Sequence, residues 1–492
     1  LVFMAKNKRK NEILLDASII ARTLAAYNPW WSEVGFAWNN PAFKRDVFLQ
    51  AISHIESGHG MALLINGPRR VGKTTIMRQL IEHLLKVKKI APAEILFFSL
   101  DDPLVQQLPQ ENQGEVFERI MEEWEAKLGK KIAQLPLPVY CFLDEVQRLP
   151  HWELYIKRYV DLKYPIRFVI SGSASHTIFR KSLESLLGRL VDISLPPFSF
   201  REWIRFHYGE YAAVCDELAG AKIDIADKKI FSRTILEITK KLGAEKTKKL
   251  NELAGDYARD GGFPQLWEMK DLVERAQFID LQFVKRVTLE DLRLVREVRR
   301  PEIFHQFLRY VFARTGEEYN LEELAGKIHT TRPTLTDALP LLLQTELIRK
   351  VERFANKPVR LRSTHAKLYA ADTVLYEAIT KMPADLNGED KGRLAETLAF
   401  NMLRRLPGIS DICYFRTPDG KHEVDFILKI GKLFIPVEIK SGRANINESD
   451  HIRFFLKEYG AKESFGIMAH MGGIDFENDI LMVPLGVFLL IS

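Results

Sequence analysis

The sequence predicts an α/β protein that begins with a parallel, doubly wound sheet and continues into a helical region and a second α/β domain. Apolar runs of strand length alternate with amphipathic helical patterns from residue 62 to residue 195. This alternation is typical of parallel strands joined by helices. Between residues 197 and 299 the pattern is helical and highly charged, and strand patterns return toward the C-terminus.

The elements follow from these patterns in chain order. We predict strands at 62–65, 94–98, 139–143, 167–170 and 191–195, and helices at 42–57, 75–85, 114–128, 152–162 and 181–187. Beyond residue 300 we predict helices at 303–314, 321–328 and 332–344, a β-wing at 347–354 and 359–362, a helix at 391–404, and strands at 423–428 and 434–440. The apolar run 480–491 is interrupted by Pro484, which favours two short strands. Tryptophans within residues 1–50 are expected to pack against the first domain.

The amino-acid composition restricts the classes of function that we expect for this chain. The 71 basic and 65 acidic residues give a net charge of +6, which is only a weak indication of nucleic-acid binding. Cys141, Cys215 and Cys413 are widely spaced, so neither a disulfide framework nor a zinc site is predicted. No apolar run approaches the roughly 18 residues of a membrane span. We therefore expect a cytoplasmic protein that does not enter a membrane.

A glycine-bracketed turn follows the first strand pattern. It has the form G-x-x-x-x-G-K-T between a strand and a helix, which is the context of a phosphate-binding P-loop. Lys73 is expected to reach the β- and γ-phosphates, and the Thr74 hydroxyl to ligate Mg²⁺. The predicted nucleotide-binding residues are Gly67, Pro68, Arg69, Arg70, Val71, Gly72, Lys73, Thr74 and Thr75.

An acidic pair ends the third strand pattern. Asp144 is expected to hold the Mg²⁺ shell, and Glu145 to polarise the attacking water. Ser171 or Ser173, at the end of the next strand, is a candidate sensor of the γ-phosphate. Arg189 is a candidate arginine finger toward a neighbouring subunit, with an ordinary surface arginine as the alternative. A finger would imply a homo-oligomer, such as a hexamer or another ring.

The runs G-P-R-R-V-G-K-T-T, F-L-D-E-V-Q, S-G-S, L-G-R and G-G-F-P resemble those of prokaryotic AAA+ ATPases with a C-terminal domain of unknown function. That domain is itself similar to the PD-(D/E)XK nuclease fold. The resemblance implies ATP binding by residues 67–75, Mg²⁺ handling by Asp144 and hydrolysis by Glu145. In the G-G-F-P run, Pro264 is expected to lie over the adenine.

Five segments follow from these patterns. They are a flanking segment (1–50), an AAA+ core (51–200), a helical lid (201–300), a winged helix (301–386) and a nuclease-like domain (387–492).

Four C-terminal residues have the order expected of a metal-dependent nuclease. Glu396 lies on a helix, Asp425 on a strand, and Glu438 and Lys440 two apart on the next strand, so that the last two share a face. Glu396, Asp425 and Glu438 are predicted to bind Mg²⁺ or Mn²⁺, and Lys440 to orient or deprotonate the water. The alternative is a fold kept for DNA binding or assembly, with its carboxylates solvated or paired with Lys440.

The predicted recognition helix, 332–344, is poor in basic residues, whereas the wing is rich in them. The basic residues of the wing are Arg349, Lys350, Arg353, Lys357, Arg360 and Arg362. This distribution favours contacts with a DNA backbone over readout of bases, and protein docking is the alternative.

Two hypotheses result. The first is an ATPase that acts on DNA and cuts it at the C-terminal site. The second is a nucleotide-operated switch or scaffold whose C-terminal domain binds DNA or protein without cleavage.

Overall fold

The chain divides into two compact units, Leu1–Pro196 and Pro197–Ser492. The structure is a computed structural model, and it describes residues 17–33, 35–36, 38–57, 60–173, 186–221, 223–291, 300–355, 366–380, 388–461, 463–477 and 479–491. Most of the predicted helix 181–187 lies outside these ranges, as does the predicted wing strand 359–362.

A five-stranded parallel sheet forms the centre of the first unit, as the sequence predicts. Its strands are β1 (Ala62–Gly67), β2 (Ile95–Ser99), β3 (Val139–Asp144), β4 (Ile166–Ser173) and β5 (Leu190–Ser194), in the spatial order β2-β3-β4-β1-β5. The helices of this unit include α1 (Ala17–Tyr27), α2 (Val47–Glu56), α3 (Lys73–Lys86), α4 (Gln110–Leu128) and α5 (Trp152–Asp161). The central strands β1 and β3 are buried along nearly their whole length because both faces of a parallel sheet are covered.

The N-terminal tryptophans pack against the edge of this sheet, as expected. The indole nitrogens of Trp30 and Trp31 both donate to the Ile95 carbonyl on β2, at 3.2 and 2.9 Å. Asn28 donates to the carbonyl of Phe97 and accepts from its N–H. The segment before the P-loop is therefore part of the first unit.

The second unit begins with the predicted helical region. Its helices include α6 (Phe200–His207), α7 (Ala212–Gly220), α8 (Lys228–Asp260) and α9 (Leu272–Ile279). Helix α8 ends at Gly261-Gly262, where a turn packs closely on its surroundings. The Gly262 N–H donates to the Asp372 carboxylate at 2.7 Å, and the Phe198 N–H donates to the Gly262 carbonyl. A Cβ at either glycine would clash with these neighbours.

Among the described residues, the next part of the second unit contains three helices and the first two strands of a large mixed sheet. The helices α10 (Pro301–Ala313), α11 (Leu321–Lys327) and α12 (Arg332–Gln344) form close to the predicted bounds. The two strands that follow, β6 (Ile348–Arg353) and β7 (Ala366–Ala370), do not stand apart as a wing, because β6 pairs with β8 in parallel. They extend the C-terminal sheet to eight strands, so the separate winged helix stays a prediction.

The other strands of this sheet are β8 (Asp411–Arg416), β9 (Glu423–Ile430), β10 (Leu433–Ile439), β11 (Gly466–His470), β12 (Asp475–Glu477) and β13 (Ile480–Pro484). Their helices are α13 (Gly388–Leu403), α14 (Asp450–Tyr459) and α15 (Leu485–Leu490). The prediction of two strands in 480–491 is wrong in its second half. Pro484 ends β13, and the buried residues after it form α15 against α8 instead.

Candidate nucleotide-binding site and carboxylate cluster

The turn between β1 and α3 has the backbone geometry of a phosphate-binding loop. Gly67 has φ +154° and lies so close to Leu195 that a Cβ would clash with the Leu195 carbonyl. Gly72 has φ +98° and caps the N-terminus of α3. Glycine adopts these conformations without strain. They allow a tight turn whose N–H groups and helix terminus can face an anion.

Lys73 begins α3 and is buried. Its ammonium donates to the carbonyls of Gly67 and Pro68 at 3.0 and 2.8 Å. The ammonium therefore lies within the loop, where it can exchange these carbonyl oxygens for phosphate oxygens when a nucleotide binds.

Arg45 holds the same loop from outside, and the sequence analysis missed it. Its buried guanidinium donates to the Val71 carbonyl at 3.0 Å and to the Pro196 carbonyl at 2.9 Å. A single arginine 26 residues before its partner belongs to no periodic pattern. No signal in one sequence could have identified it.

Asp144 lies at the C-terminal end of β3 and joins the loop to β4. It accepts a hydrogen bond from the Thr74 hydroxyl at 2.7 Å and another from the Ser171 hydroxyl. Burial, and then the neighbouring Glu145, raises the pKa of Asp144, although the hydrogen bonds from Ser171 and Thr74 act in the opposite direction. A buried carboxyl group with a perturbed pKa at the end of a strand is a candidate functional group.

Glu145 follows directly, in a left-handed conformation with φ +55°. Its N–H donates to the Ser171 hydroxyl at 3.1 Å, and its carboxylate accepts from the Gln147 amide. Lys73, Thr74, Asp144, Glu145 and Ser171 thus come from β1–α3, β3 and β4 to one edge of the sheet. Gln147 was not predicted as part of the site.

Two predicted site residues are not brought into this group. Arg189 forms an ion pair with Asp161, and about a third of its side chain is exposed. Pro264 belongs to the second unit, where it begins a short helical turn after Phe263. The finger role of Arg189 and the adenine contact of Pro264 stay predictions.

The predicted C-terminal residues form a cluster that includes an unpredicted lysine. The ammonium of Lys367, on β7, lies 3.2 Å from Glu396 Oε1 and 2.9 Å from Glu423 Oε1. The Tyr369 hydroxyl also donates to Glu396 Oε1. Burial would lower the pKa of Lys367, but Glu396, Asp425 and Glu423 outweigh burial and raise it above the ordinary lysine range. The ammonium therefore stays charged.

The other predicted residues lie on β9 and at the end of β10. Asp425 Oδ2 accepts from the Ile439 N–H at 2.8 Å, and the Lys440 ammonium is 2.8 Å from Glu438 Oε1. Burial and then Asp425 raise the pKa values of both Glu396 and Glu438 to about 7. The four predicted residues thus belong to one electrostatically connected cluster, which we call the carboxylate cluster: Lys367, Tyr369, Glu396, Glu423, Asp425, Glu438 and Lys440.

As arranged, the carboxylate cluster does not fit a metal ion. One oxygen of each predicted ligand, Glu396, Asp425 and Glu438, is held by a proton donor of the chain. Within the described residues, no group of three or more His, Cys, Asp or Glu side chains is placed to hold a metal ion.

The described basic residues of the predicted wing form ion pairs or hydrogen bonds within the chain. Arg349 pairs with Glu346 at 3.0 Å, Lys350 pairs with Glu352 at 2.7 Å, and Arg353 donates to the Arg416 carbonyl. Lys357, Arg360 and Arg362 lie outside the described residues.

The parallel five-stranded sheet and the glycine-rich turn that precedes α3 fit the fold of a P-loop AAA+ core. Residues 59–204 match a family described as an AAA domain. Residues 251–386 and 391–488 match two families that are each described as a domain of unknown function, DUF8612 and DUF4143.

Similar proteins have names that state no activity. Uncharacterized protein MJ1637 of Methanocaldococcus jannaschii is 24% identical over 65% of this chain, and the match spans 63% of that protein, less than two thirds of its length. MJ1544 of the same organism is 22% identical over 74% of this chain and 71% of its own. A Haemophilus influenzae protein is 21% identical over 75% of this chain and 86% of its own.

Among solved structures, the RuvB Holliday junction branch migration motor of Thermotoga maritima is 15% identical, with a TM-score of 0.26 over 66% of this chain and 92% of its own. AMPPCP-bound DnaA of Aquifex aeolicus is 13% identical, with a TM-score of 0.24 over 65% of this chain and 92% of its own. These scores are too low to carry an argument. Separately, no helix in the described ranges is both long enough and apolar enough to cross a bilayer.

Proposed function

We propose that the first unit binds and hydrolyses ATP at the turn between β1 and α3. The observation that carries this proposal is the hydrogen bond from Thr74 to Asp144, which joins the P-loop helix to the acidic end of β3 beside Lys73. These residue types, on these elements, are the ones that position phosphates and a metal ion in phosphoryl transfer.

Each residue has a distinct role in this proposal. Loop N–H groups and Lys73 would bind the phosphates, and Ser171 would orient Asp144 and the Glu145 backbone. Glu145 would leave the Gln147 amide to orient the attacking water and take up its proton. Thr74 and Asp144 would hold Mg²⁺, which when bound supplies charge neutralisation at the phosphates.

The test separates binding from hydrolysis. Glu145→Gln is expected to keep ATP affinity and to lose about 10²–10⁴-fold in hydrolysis rate, as general-base removal does elsewhere. The matched control is Glu122→Gln, because Glu122 is an exposed glutamate on α4. Calorimetry and phosphate release measure the two quantities, and unchanged phosphate release in Glu145→Gln would contradict the assigned role.

We further propose that the chain works as a nucleotide-operated switch or scaffold whose C-terminal domain binds DNA or protein without cleavage. The contact of Lys367 with Glu396 and Glu423 supports this over a metal-dependent nuclease. The nuclease alternative is supported by the presence of all four expected residues in the expected order along the chain: Glu396, Asp425, Glu438 and Lys440. Slow ATP hydrolysis with retained nucleotide is expected, whereas fast turnover stimulated by DNA would contradict a switch.

Cleavage decides between these two alternatives. Duplex, single-stranded and branched DNA are incubated with the full chain and Mg²⁺ or Mn²⁺, with and without ATP. We expect no product that differs between wild type and Asp425→Ala. Cleavage abolished by Asp425→Ala would establish the nuclease instead.

Assembly is the last part of the proposal. If Arg189 is a finger, the chain forms a homo-oligomer when ATP binds, and Arg189→Ala lowers hydrolysis while leaving ATP binding intact. Its ion pair with Asp161 provides the control, because Asp161→Ala removes the same pair without removing the cation. Equal loss of hydrolysis in both variants would indicate a structural role for the pair.

A further inference from the structure

Helix α13 and three strands bring four carboxyl groups and two ammonium groups together in the carboxylate cluster. The carboxyl groups belong to Glu396, Glu423, Asp425 and Glu438, and the ammonium groups to Lys367 and Lys440. Lys440 was predicted to act in water activation, whereas Lys367 was not predicted to have a role.

Lys367 is placed deep in the cluster by its strand. Its side chain is only 6% exposed, and its ammonium lies within 3.2 Å of two carboxylates that come from α13 and β9. Tyr369 is two residues further along β7, so it shares the same face and donates to the same oxygen of Glu396. The strand β7 thus presents a cation and a hydroxyl to the carboxylate that was predicted to complete a metal site.

The other two predicted metal ligands also receive hydrogen bonds from groups of the chain. Asp425 is held by the Ile439 N–H, and Glu438 by the Lys440 ammonium. Glu438 Oε2 is buried without a hydrogen-bond partner, and it is the feature that most favours a metal. A single oxygen does not make a metal site, and a divalent ion at Glu396 would meet the Lys367 ammonium on the same carboxylate.

We propose that the Lys367 ammonium is the resident cation of the carboxylate cluster, so that the cluster binds no divalent metal ion. The cluster then serves to hold β7 and α13 to β9 in one arrangement. This inference rests on the proposal of a non-cleaving C-terminal domain and states the physical reason for it.

Manganese binding tests the inference directly. The full chain carrying Asp144→Asn, which removes the predicted metal ligand of the nucleotide site, is titrated with MnCl₂ in the absence of nucleotide, and free Mn²⁺ is measured by electron paramagnetic resonance. We expect no saturable binding up to millimolar Mn²⁺. Adding Lys367→Met is expected to create one saturable site per chain, whereas Lys429→Met, at a more exposed ion pair on β9, is expected to create none.

Loss of Lys367 can prevent folding, so a second variant keeps the test decisive. Lys367→Met/Glu423→Gln removes one positive and one negative charge and retains Glu396, Asp425 and Glu438. It is also expected to bind Mn²⁺. Saturable binding in the parent that Asp425→Asn abolishes would overturn the inference, as would a folded double variant that binds no Mn²⁺.

The two proposals fail in different ways. DNA cleavage by a chain that binds no Mn²⁺ in this titration would overturn the non-cleaving function and leave the role of Lys367 standing. Mn²⁺ binding by the parent without DNA cleavage would overturn the role of Lys367 alone.

Discussion

The two units differ in the kind of group that donates hydrogen bonds to a carboxylate with little exposure. In the first unit, Asp144 is held by the neutral hydroxyls of Thr74 and Ser171, and its pKa is raised. In the second unit, Glu396 is held by the charged ammonium of Lys367. Hydroxyls orient a carboxylate without cancelling its charge, whereas an ammonium cancels it. The first arrangement suits a cation that arrives with a ligand, and the second suits a carboxylate that already has a cation of the chain beside it.

The largest expected effect is at Lys73. Replacing Lys73 with Ala removes the one ammonium that lies inside the loop, so ATP hydrolysis should fall by at least about 10²-fold because charge stabilisation at the phosphates is lost. Phosphate release measures this. Lys86→Ala, at the exposed end of the same helix, is the control and should retain full activity.

The second prediction concerns stability at Lys367. Lys367→Met leaves the largely buried Glu396 and the partly exposed Glu423 without their cation, so the free energy of unfolding should fall by about 3–5 kcal/mol. Lys429→Met removes a more exposed pair with Asp411 and should cost about 0–1 kcal/mol. Urea unfolding followed by circular dichroism compares the two. An equal loss of unfolding free energy in the two variants would show that Lys367 stabilises the fold no more than an exposed ion pair does.

A smaller effect is expected from replacing Arg45, which contacts only the first unit in these hydrogen bonds. Arg45→Ala leaves the carbonyls of Val71 and Pro196 without their charged donor, which should destabilise the loop by about 1.5–3 kcal/mol. ATP affinity measured by calorimetry should fall accordingly. Arg22→Ala, at an exposed arginine on α1, should leave the affinity unchanged.

The smallest expected effect is a pH dependence in the second unit. Asp372 is buried, and burial raises its pKa from about 3.8 to about 6 although the Val374 and Gly262 N–H groups oppose the shift. The folded state therefore binds more protons than the unfolded state between these values. The stabilising contribution is complete below pH 3.8 and is lost as the pH rises through 6. Urea unfolding at pH 5 and pH 7.5 should show this loss, and Asp372→Asn should reduce it.

The sequence predicted most of what is local. The P-loop and the Asp144–Glu145 pair depend on neighbouring residues and strand ends, and the structure brings Lys73, Thr74, Asp144, Glu145 and Ser171 together. The shared face of Glu438 and Lys440 was local too, because strand periodicity fixes which side chains two residues apart point the same way.

The residues that were missed act over long distances in the chain. Lys367 is 29 residues from Glu396, and Arg45 is 151 residues from Pro196. Neither belongs to a periodic pattern, so no local signal marks them. The pairing of β6 with β8, across about 60 residues of chain, could not be predicted for a similar reason. Pairing of this kind depends on which sheet edge is available, which one sequence does not state.

The most direct measurement of the central claim is the number of Mn²⁺ ions bound per wild-type chain, with and without a non-hydrolysable ATP analogue. The account predicts one ion in the presence of the analogue, held at Thr74 and Asp144, and none in its absence. An ion bound without nucleotide and lost in Asp425→Asn, or no ion at all with the analogue, would contradict it.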